Sequence, residues 1–353
     1  MPPDLQFGPL TIGFPVVQAA LSGYSDWPMR MIARQLGASY ALCEVMLDQF
    51  LVALKNRQRT GHFLHIGDEQ RPVGGQLMGA EPAQFAAGAT KLVEAGFDVI
   101  DINFGCPVKK VVGRCRGGFH LSQPDVAIEI IHRTRDAVPE PIPVTLKMRR
   151  GIDDSAESRD KFFRILEAAL GAGVAGITVH GRTVQQRYVG PSRWRFLKEV
   201  KQFAGDNVIL GSGDLFAAQD CLDMMSQTGV DGVTVARGAI GNPWIFSQAW
   251  ALAAGKPLPP PPSLFAQREV IRDHYHLAER LYEPRRCGQV MRKFGVKYAA
   301  SHPAYEKVRA DFGKSSTRKT WEAVLEQWYA EDLPGKYPDP AIHRSQSGND
   351  EAA

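Results

Sequence analysis

Cys106 lies at a position in the sequence where a thiol could do chemistry. The segment that contains it reads Asp-Ile-Asn-Phe-Gly-Cys-Pro over residues 101–107, after an apolar run that begins at Phe97. Because a strand cannot continue through Gly-Cys-Pro, the thiol is predicted to lie on a loop at a strand tip, close to the polar Asn103. Free cysteines are more often buried small hydrophobes than catalysts. The functional interpretation of Cys106 therefore depends on the rest of the chain.

Other polar residues follow apolar runs in the same way. Lys147 lies in Val-Thr-Leu-Lys-Met-Arg. A half-buried lysine at a strand end needs an anionic partner, such as the N1–C2=O edge of a reduced flavin. His180 lies in Thr-Val-His-Gly-Arg-Thr, where Arg182 and Thr183 favour contact with a cofactor or substrate over a purely structural histidine. Gln76 can donate to and accept from the edge of a flavin or a pyrimidine.

Two glycine-containing loops are candidates for binding a phosphate group. They are residues 211–214 (Gly-Ser-Gly-Asp) and 236–241 (Ala-Arg-Gly-Ala-Ile-Gly). Glycine allows backbone N–H groups to approach a phosphate closely, and Arg237 could add a charged donor. The alternative is that these glycines only form tight turns. The phosphate site is favoured, because the loops follow the last two predicted strands, where barrels commonly bind phosphate.

Strand-like and helix-like segments alternate regularly along the chain that joins these candidate residues and loops. The predicted strands are 15–19, 40–44, 72–77, 97–103, 143–147, 176–180, 207–211 and 232–236, and the predicted helices include 83–95, 125–137, 161–172 and 217–228. Eight such units over about 240 residues predict an α/β fold, a (β/α)8 TIM barrel. A doubly wound sheet is the structural alternative. In a barrel, the polar residues at the strand ends would meet at one mouth and form a site.

The chain divides at a proline-rich segment. Residues 257–262 read Pro-Leu-Pro-Pro-Pro-Pro, which is typical of a stiff linker. We therefore assign residues 1–250 to the barrel, 251–263 to the linker and 264–333 to a small helical domain with predicted helices at 264–280, 289–300 and 319–330. Residues 334–353 are polar and rich in turn formers, so this tail is predicted to be disordered.

The composition is that of an ordinary soluble globular protein, with 44% hydrophobic and 23% charged residues in a chain of 353. No apolar stretch approaches the roughly 18 residues of a membrane span, and the first residues lack the basic and apolar regions of a signal peptide. Five cysteines without a Cys-x-x-Cys pair argue against a disulfide framework and a structural zinc site. We therefore expect a cytoplasmic protein with no metal and no membrane partner.

The net charge of +4 is unevenly distributed along the chain. Residues 267–320 contain 13 Lys or Arg and 6 Asp or Glu, a net charge of +7, which leaves −3 for the remainder. Charge runs are usually only solvated surface, and that is the alternative here. The concentration of positive charge in one segment instead suggests a polyanionic partner that binds the C-terminal region.

These motifs together resemble those of the tRNA-dihydrouridine synthases, flavin-dependent barrel enzymes that reduce uridine in RNA. The resemblance covers roughly residues 14–330, and it is specific as a combination although no single motif is. The matching segments are 22–26 (Ser-Gly-Tyr-Ser-Asp), 103–107 (Asn-Phe-Gly-Cys-Pro), 147–149 (Lys-Met-Arg), 180–183 (His-Gly-Arg-Thr), 239–244 (Ala-Ile-Gly-Asn-Pro-Trp) and 291–294 (Met-Arg-Lys-Phe), with Gln76, Gln186 and Tyr188.

The resemblance implies a mechanism and a set of site residues. Cys106 resembles the general acid that protonates C5 of uracil, while reduced FMN delivers hydride to C6 and NADPH, or NADH, reduces the flavin again. The implied FMN-binding residues are Ala19, Ala20, Leu21, Gln76, Lys147, His180, Ser212, Gly213, Asp214, Ala236 and Arg237. The implied substrate-binding residues are Asn103, Arg182, Thr183, Arg292 and Lys293. The implied partner is tRNA, bound by a monomer across the barrel mouth and the basic helices, with the target base flipped into the barrel.

Some segments depart from the family pattern and indicate a divergent member. They are 19–21 (Ala-Ala-Leu in place of Ala-Pro-Met), Ser212 (in place of Asn), 119–122 (Phe-His-Leu-Ser in place of Ala and a Leu-Leu pair) and 191–194 (Pro-Ser-Arg-Trp in place of Ala-Asp-Trp). The RNA target could therefore differ, and ribosomal RNA is one alternative. Two other functions stay open. One is an FMN-barrel dehydrogenase of a free small molecule, of the dihydropyrimidine or dihydroorotate type, and the other is an RNA-binding protein with a decayed barrel.

Overall fold

The computed structural model describes residues 1–54 and 61–345 and begins with a short hairpin. Its strands, β1 (Leu5–Phe7) and β2 (Leu10–Gly13), pair antiparallel. Phe7 packs against Gly176, where an added Cβ would lie 2.6 Å from the phenyl ring. The ring of Tyr40 lies 5.7 Å from that of Phe7. The hairpin, which is absent from the predicted elements, therefore closes the lower end of the barrel that follows.

A closed barrel of eight parallel strands forms the centre of the fold. Its strands are β3 (Val16–Gln18), β4 (Ala41–Leu42), β5 (Met46–Leu47), β6 (Val73–Met78), β7 (Val99–Phe104), β8 (Val144–Arg149), β9 (Gly176–His180), β10 (Ile209–Ser212) and β11 (Gly232–Val235). β11 pairs with β3, and both β4 and β5 pair with β6, so the second barrel strand is split into two short pieces. The predicted (β/α)8 barrel and its strand positions are confirmed.

Helices cover the outside of the barrel. They are α1 (Trp27–Gln35), α2 (Asp48–Ala53), α3 (Pro82–Glu94), α4 (Lys109–Val112), α5 (Pro124–Ala137), α6 (Ala156–Gly171), α7 (Trp194–Ala204), α8 (Ala218–Thr228) and α9 (Ile245–Ala253). The predicted helices correspond to α3, α5, α6 and α8. α6 begins before the predicted residue 161, because the hydroxyl of Ser155 caps it by accepting a hydrogen bond from Ser158 N (3.1 Å).

Alternation along the strands separates an apolar outer face from a polar inner face. On β7, the outward side chains are fully buried among the helices: Ile100, Ile102 and Phe104. Val99 instead packs with the hairpin inside the barrel. Because strand side chains alternate, Asp101 and Asn103 also face the interior. The polar residues of the strand therefore lie where helices cannot cover them, above an apolar plug.

The C-terminal region consists of helices that pack against the barrel. They are α10 (Leu264–Leu281), α11 (Pro284–Tyr298), α12 (Tyr305–Lys314) and α13 (Arg318–Trp328). The helices predicted at 264–280, 289–300 and 319–330 correspond to α10, α11 and α13. The short α12 was missed, since only Val308 and Phe312 on it are buried and Gly313 lies in its last turn. No helix in residues 1–54 and 61–345 is long and apolar enough to span a bilayer.

The barrel and these helices share one apolar core. A polar contact joins them as well, since the hydroxyl of Tyr282 donates to Asp26 Oδ2 (2.8 Å) at the N-terminus of α1. The helical region is thus held against the barrel by direct packing as well as by the chain connection.

The segment after α13 is more ordered than its composition predicts. Lys336 N donates to Ser301 O (3.0 Å), the hydroxyl of Tyr337 donates to Pro259 O (2.6 Å), and a final helix, α14, spans Pro340–Ser345. Residues 334–345 thus make contacts that their composition does not reveal, because carbonyl groups of the linker and of the helical region supply hydrogen-bond partners. Residues 346–353 of the tail predicted to be disordered lie outside the described residues.

Candidate active site

Polar side chains on the inner face converge at the carboxyl ends of the strands. Asn103 lies opposite Lys147 in the pairing of β7 with β8, and His180 lies opposite Ser212 in the pairing of β9 with β10. Gln76, near the end of β6, accepts a hydrogen bond on Oε1 from Asn103 Nδ2 (2.7 Å). The structure therefore brings these predicted site residues together at one mouth of the barrel.

A chain of hydrogen bonds runs from the barrel interior to the loop of Cys106. Asp101, which is 2% exposed, accepts from Thr145 Oγ1 (2.6 Å) and from Gln76 Nε2 (2.7 Å). Gln76 is bonded to Asn103, whose Oδ1 accepts from two backbone N–H groups of the loop, that of Cys106 at 3.1 Å. The position of the Cys106 backbone is thus tied to a carboxyl group in the core.

The loop that carries Cys106 is held by neighbouring segments. Arg149 Nε donates to Gly105 O (2.9 Å), and Gly118 N donates to Cys106 O (3.0 Å). An added Cβ on Gly117, whose φ is +58°, would lie 2.8 Å from Cys106 Cβ. Burial raises the pKa of the half-buried Cys106 thiol, against the opposing effects of a backbone hydrogen bond and the Arg149 charge. The thiol is therefore protonated at neutral pH, as a general acid requires.

Lys147 presents an ammonium group at the mouth. Burial and the nearby charge of Arg149 lower its pKa to about 8, against the opposite effect of Asp101. In the described part of the chain, Lys147 makes neither a side-chain hydrogen bond nor an ion pair. A buried cation with no acidic side chain in contact fits a ligand that carries a negative edge.

His180 is a neutral donor at the same mouth. Burial, followed by the charges of Arg149 and Lys147, holds the pKa of His180 well below its usual range. Its Nδ1 accepts from the backbone N–H of Arg182 (3.2 Å). A neutral imidazole that accepts at Nδ1 carries its proton on Nε2. His180 can therefore donate one hydrogen bond from Nε2 to a ligand.

The family model of the dihydrouridine synthases (Dus) matches residues 17–333. The chain belongs to this family. It is 32% identical to tRNA-dihydrouridine synthase B of Xanthomonas campestris pv. campestris over 336 residues, which are 95% of this chain and 98% of the relative. It is also 32% identical to a probable tRNA-dihydrouridine synthase of Mycobacterium tuberculosis over 347 residues, 96% of this chain and 87% of that one.

Solved structures share the barrel fold at much lower identity. Histamine dehydrogenase from Rhizobium sp. 4-9 superposes with a TM-score of 0.56 at 14% identity, covering 72% of this chain and 47% of that chain. Morphinone reductase in complex with tetrahydroNAD superposes with a TM-score of 0.55 at 10% identity, covering 73% of this chain and 92% of that chain. These likenesses support the fold alone.

In this dihydrouridine synthase family member, Arg182 and Asp214 bind each other. Arg182 Nη2 lies 2.7 and 2.8 Å from the two Asp214 carboxylate oxygens and, with Nε, also donates to Gly190 O. Asp214 Oδ2 further accepts from Ser192 N (2.8 Å). Thr183 Oγ1 accepts from a backbone N–H three residues on (3.1 Å). These side chains hold the loops after β9 and β10 together, and their roles toward substrate and cofactor stay predictions.

The two predicted phosphate loops lie beside this ion pair. The Arg237 guanidinium lies over the Tyr188 ring (4.6 Å to its centroid) and 4.0 Å from Asp214 Oδ1. Gly213 has a φ of +110°, and an added Cβ would lie 2.6 Å from Ser192 Oγ, so close packing alone already requires glycine there. Binding of a phosphate by these loops, with Ser212 and Ala236 at their starts, stays a prediction.

The end of the first barrel strand closes the ring of loops. Ala19 N donates to Val235 O (2.9 Å), which places residues 19–21 beside the eleventh strand and Ala236. Leu21 N donates to Ser25 Oγ (2.8 Å), so the loop turns back toward α1 directly after Ala20. These residues lie at the rim, where they were predicted, and their contact with a flavin stays a prediction.

Arg292 and Lys293 on α11 have different environments. Lys293 Nζ donates to Gly23 O in the loop before α1 and lies over the Tyr24 ring (4.9 Å). Burial lowers the pKa of Lys293, against the charges of Asp26 and the neighbouring Glu44. Lys293 therefore connects the helical region to the barrel rim, whereas Arg292 is exposed beside it.

Asp101, Arg149 and Tyr188 were given no role by the sequence reasoning, although all three lie in segments that it quoted. Arg149 joins the Cys106 loop to the loop after β9, since its Nη1 donates to Thr183 O (2.8 Å) while Nε holds Gly105. It lies two residues beyond Lys147 on the same strand, so alternation would have placed it on the inner face. Tyr188 matches the family pattern, but the contact of its ring with Arg237 is visible only in the fold.

If the mouth binds FMN, as the family resemblance implies, we expect Lys147→Met to weaken that binding about 10–100-fold, because a charge-assisted contact at a half-buried site is lost. Since the ammonium of Lys147 loses its proton as pH rises through about 8, affinity for an anionic ligand should fall above that pH in the wild type and not in the variant. Titration of FMN fluorescence against pH measures both effects. Lys198→Met, on the exposed face of α7, is the matched control. Unchanged FMN affinity in Lys147→Met would contradict the role of this residue.

Proposed function

We propose that this protein is an FMN-dependent enzyme that reduces the C5–C6 double bond of uracil in tRNA uridines, giving dihydrouridine, with NADPH or NADH as reductant. The observation that carries the proposal is the position of the Cys106 thiol, on a loop that Asn103 and Arg149 hold at the barrel mouth, in a chain of the dihydrouridine synthase family. The relatives named above are tRNA-dihydrouridine synthases, which supports tRNA as the substrate. The proposed enzyme acts as a monomer in the cytoplasm.

The donor set at the mouth fits an FMN cofactor. Lys147 offers an unpartnered ammonium, and His180 Nε2 and Gln76 Nε2 offer neutral N–H donors to the acceptor atoms of the ring. The loops that begin at Ser212 and Ala236 would hold the phosphate with backbone N–H groups. When bound, reduced FMN supplies the hydride that adds to C6 of uracil.

Cys106 completes the reduction by supplying a proton. Its Sγ–H bond breaks as the proton moves to C5, so that one hydride and one proton together saturate the double bond. A thiol whose pKa is raised by burial keeps this proton until C5 becomes basic. The Arg149 charge near the thiol favours the thiolate that remains, and water then returns the proton. Asn103 keeps the Cys106 backbone in place through its hydrogen bonds.

The charge of the C-terminal helices supports an RNA substrate over a free small molecule. In the described part of the chain, some exposed cations of these helices make no ion pair: Arg285, Arg292, Lys307 and Lys319. Unpaired surface cations are suited to phosphate contacts. Lys293 places α11 directly at the barrel rim, so RNA bound there would lie next to the mouth.

The proposed reaction is tested by nucleoside mass spectrometry of total tRNA and rRNA from cells with and without the gene. Loss of dihydrouridine at a defined tRNA position is the expected result. Loss confined to rRNA would keep the chemistry and change the partner. The proposal would be contradicted if dihydrouridine is lost from neither RNA and the purified protein instead reduces free uracil or oxidises dihydroorotate. It would also be contradicted if the purified protein binds no flavin.

A further inference from the structure

Hydrogen bonds link Asp101, Gln76 and Asn103 in a chain. The groups at both ends of this chain require the same direction from donor to acceptor. A carboxylate only accepts, so the Gln76 atom 2.7 Å from Asp101 Oδ2 is the amide nitrogen. Backbone N–H groups only donate, so the Asn103 atom that meets the N–H of Cys106 is the carbonyl oxygen. Between them, Asn103 Nδ2 donates to Gln76 Oε1 (2.7 Å). Burial raises the pKa of Asp101 to about 6, so it is a carboxylate at neutral pH, and the orientation of both amides then follows from the groups at the two ends.

This direction decides what the two amides offer to a ligand. Each amide nitrogen carries two hydrogens, and among the described residues one hydrogen of Gln76 and one of Asn103 is used inside the chain. The second hydrogen of each remains for a ligand. Lys147 and His180 Nε2 also donate at this mouth. The inner face thus offers hydrogen-bond donors from several strands to one bound group.

We propose that Asp101 is a positioning residue that orients Gln76 and Asn103, so that the mouth offers N–H donors to the carbonyl and ring-nitrogen acceptors of a bound heteroaromatic ring. For the identity of that ring, a flavin or a uracil, the inference rests on the proposed function. Because Asp101 is 2% exposed, it acts through Gln76 rather than by contact with a ligand. Asp101 lies two residues before Asn103 on β7.

A carboxylate at position 101 has an effect that a neutral residue lacks. If Gln76 turned over, its Oε1 would face the oxygens of Asp101, and two acceptors would meet in a buried site. An amide at position 101 can present either its oxygen or its nitrogen. The Thr145 hydroxyl completes the arrangement, since it donates to the other Asp101 oxygen at 2.6 Å and keeps the carboxylate in place.

The experiment moves the carboxylate from one side of Gln76 to the other in the full-length chain. In Asn103→Asp, both neighbours of Gln76 are acceptors, so its Oε1 faces a carboxylate in either orientation. In the double variant Asp101→Asn/Asn103→Asp, Gln76 can turn over, donate to position 103 and accept from the amide at position 101. The double variant keeps the charge of the wild type, and in Asp101→Asn alone only the Asn103 end still imposes the original direction.

Urea denaturation of the apoprotein tests the direction itself. We expect Asn103→Asp to lower the urea midpoint clearly, Asp101→Asn to change it little, and the double variant to recover most of the loss. A double variant that is no more stable than Asn103→Asp would overturn the inference. If Asn103→Asp does not fold, folding of the double variant is the expected recovery, and its failure to fold overturns the inference.

Quenching of FMN fluorescence tests whether the direction serves a bound ring. We expect Asp101→Asn, in which the amide at position 101 can take either direction, to bind FMN about threefold more weakly than the wild type. The double variant should bind FMN at least about tenfold more weakly, because Gln76 then presents a reversed amide. Equal FMN affinity of the double variant and the wild type would overturn the positioning role. If the wild type binds no FMN, the proposed function fails, while the denaturation experiment still decides the direction.

Discussion

Replacing Cys106 with alanine is expected to lower the rate of uridine reduction in tRNA about 10²–10⁴-fold, the usual contribution of a positioned general acid. Binding of FMN should be unchanged, because the side chain that is removed is only a thiol on a loop held by its backbone. The measurement is single-turnover conversion of uridine to dihydrouridine, followed by mass spectrometry, with FMN content determined on the same preparation.

Cys115→Ala is the matched control for this variant. Cys115 is a free thiol in the same loop as Cys106, but it is exposed and has a φ of +56°. We expect it to retain wild-type activity. Full activity of Cys106→Ala would refute the assignment of the acid, whereas equal losses in both variants would point to disruption of the loop rather than to loss of the proton donor.

Reversing the charges of Arg285 and Arg292 together is expected to weaken binding of tRNA about 10–100-fold at fixed salt. Both side chains are exposed on α11, seven residues apart and thus on one face of the helix. Each phosphate contact that is lost should reduce the slope of log affinity against log salt by about 0.7–0.9, so the double variant should lower it by about 1.5. Fluorescence anisotropy of labelled tRNA over a salt series measures both quantities.

The control for this experiment is Arg195→Glu/Lys198→Glu on α7, which changes the net charge of the chain by the same amount on the outer face of the barrel. We expect it to leave the salt slope unchanged. If both double variants weaken tRNA binding equally, net charge rather than α11 is responsible, and the assigned RNA surface is wrong. Charge reversal is preferable to deletion of the helices, because Tyr282 and the shared apolar core join them to the barrel.

The regular alternation of strand-like and helix-like segments, together with the residues that end the strands, was enough to predict the barrel. The apolar run that begins at Phe97 predicted a strand and Gly-Cys-Pro predicted its end, and β7 spans Val99–Phe104. The same reasoning placed Lys147 and His180 at strand ends. It failed for α12 and for the hairpin at the N-terminus, where short segments bury only a few side chains and depend on contacts with the rest of the fold.

Single-residue roles were harder to predict than positions. Arg182 and Asp214 lie at predicted site positions, yet they bind each other across two loops, and Lys293 holds the barrel rim. Charged side chains pair with groups that lie close to them in the folded protein, and the sequence does not contain the distances between segments. The same limit applies to residues 334–345, whose polar composition predicts disorder, because the Tyr337 hydroxyl finds its partner on the linker and the backbone N–H of Lys336 finds its partner on Ser301.

Local patterns of residue types were sufficient to predict the family, the barrel and the placement of Cys106 at a strand tip. The direction of the Gln76 and Asn103 amides, the raised pKa of the Cys106 thiol and the lack of an ion-pair partner for Lys147 among the described residues became visible only in the folded chain. Each of these depends on burial and on atoms brought together from different strands. Hydrogen-bond direction and protonation are set by those non-local contacts.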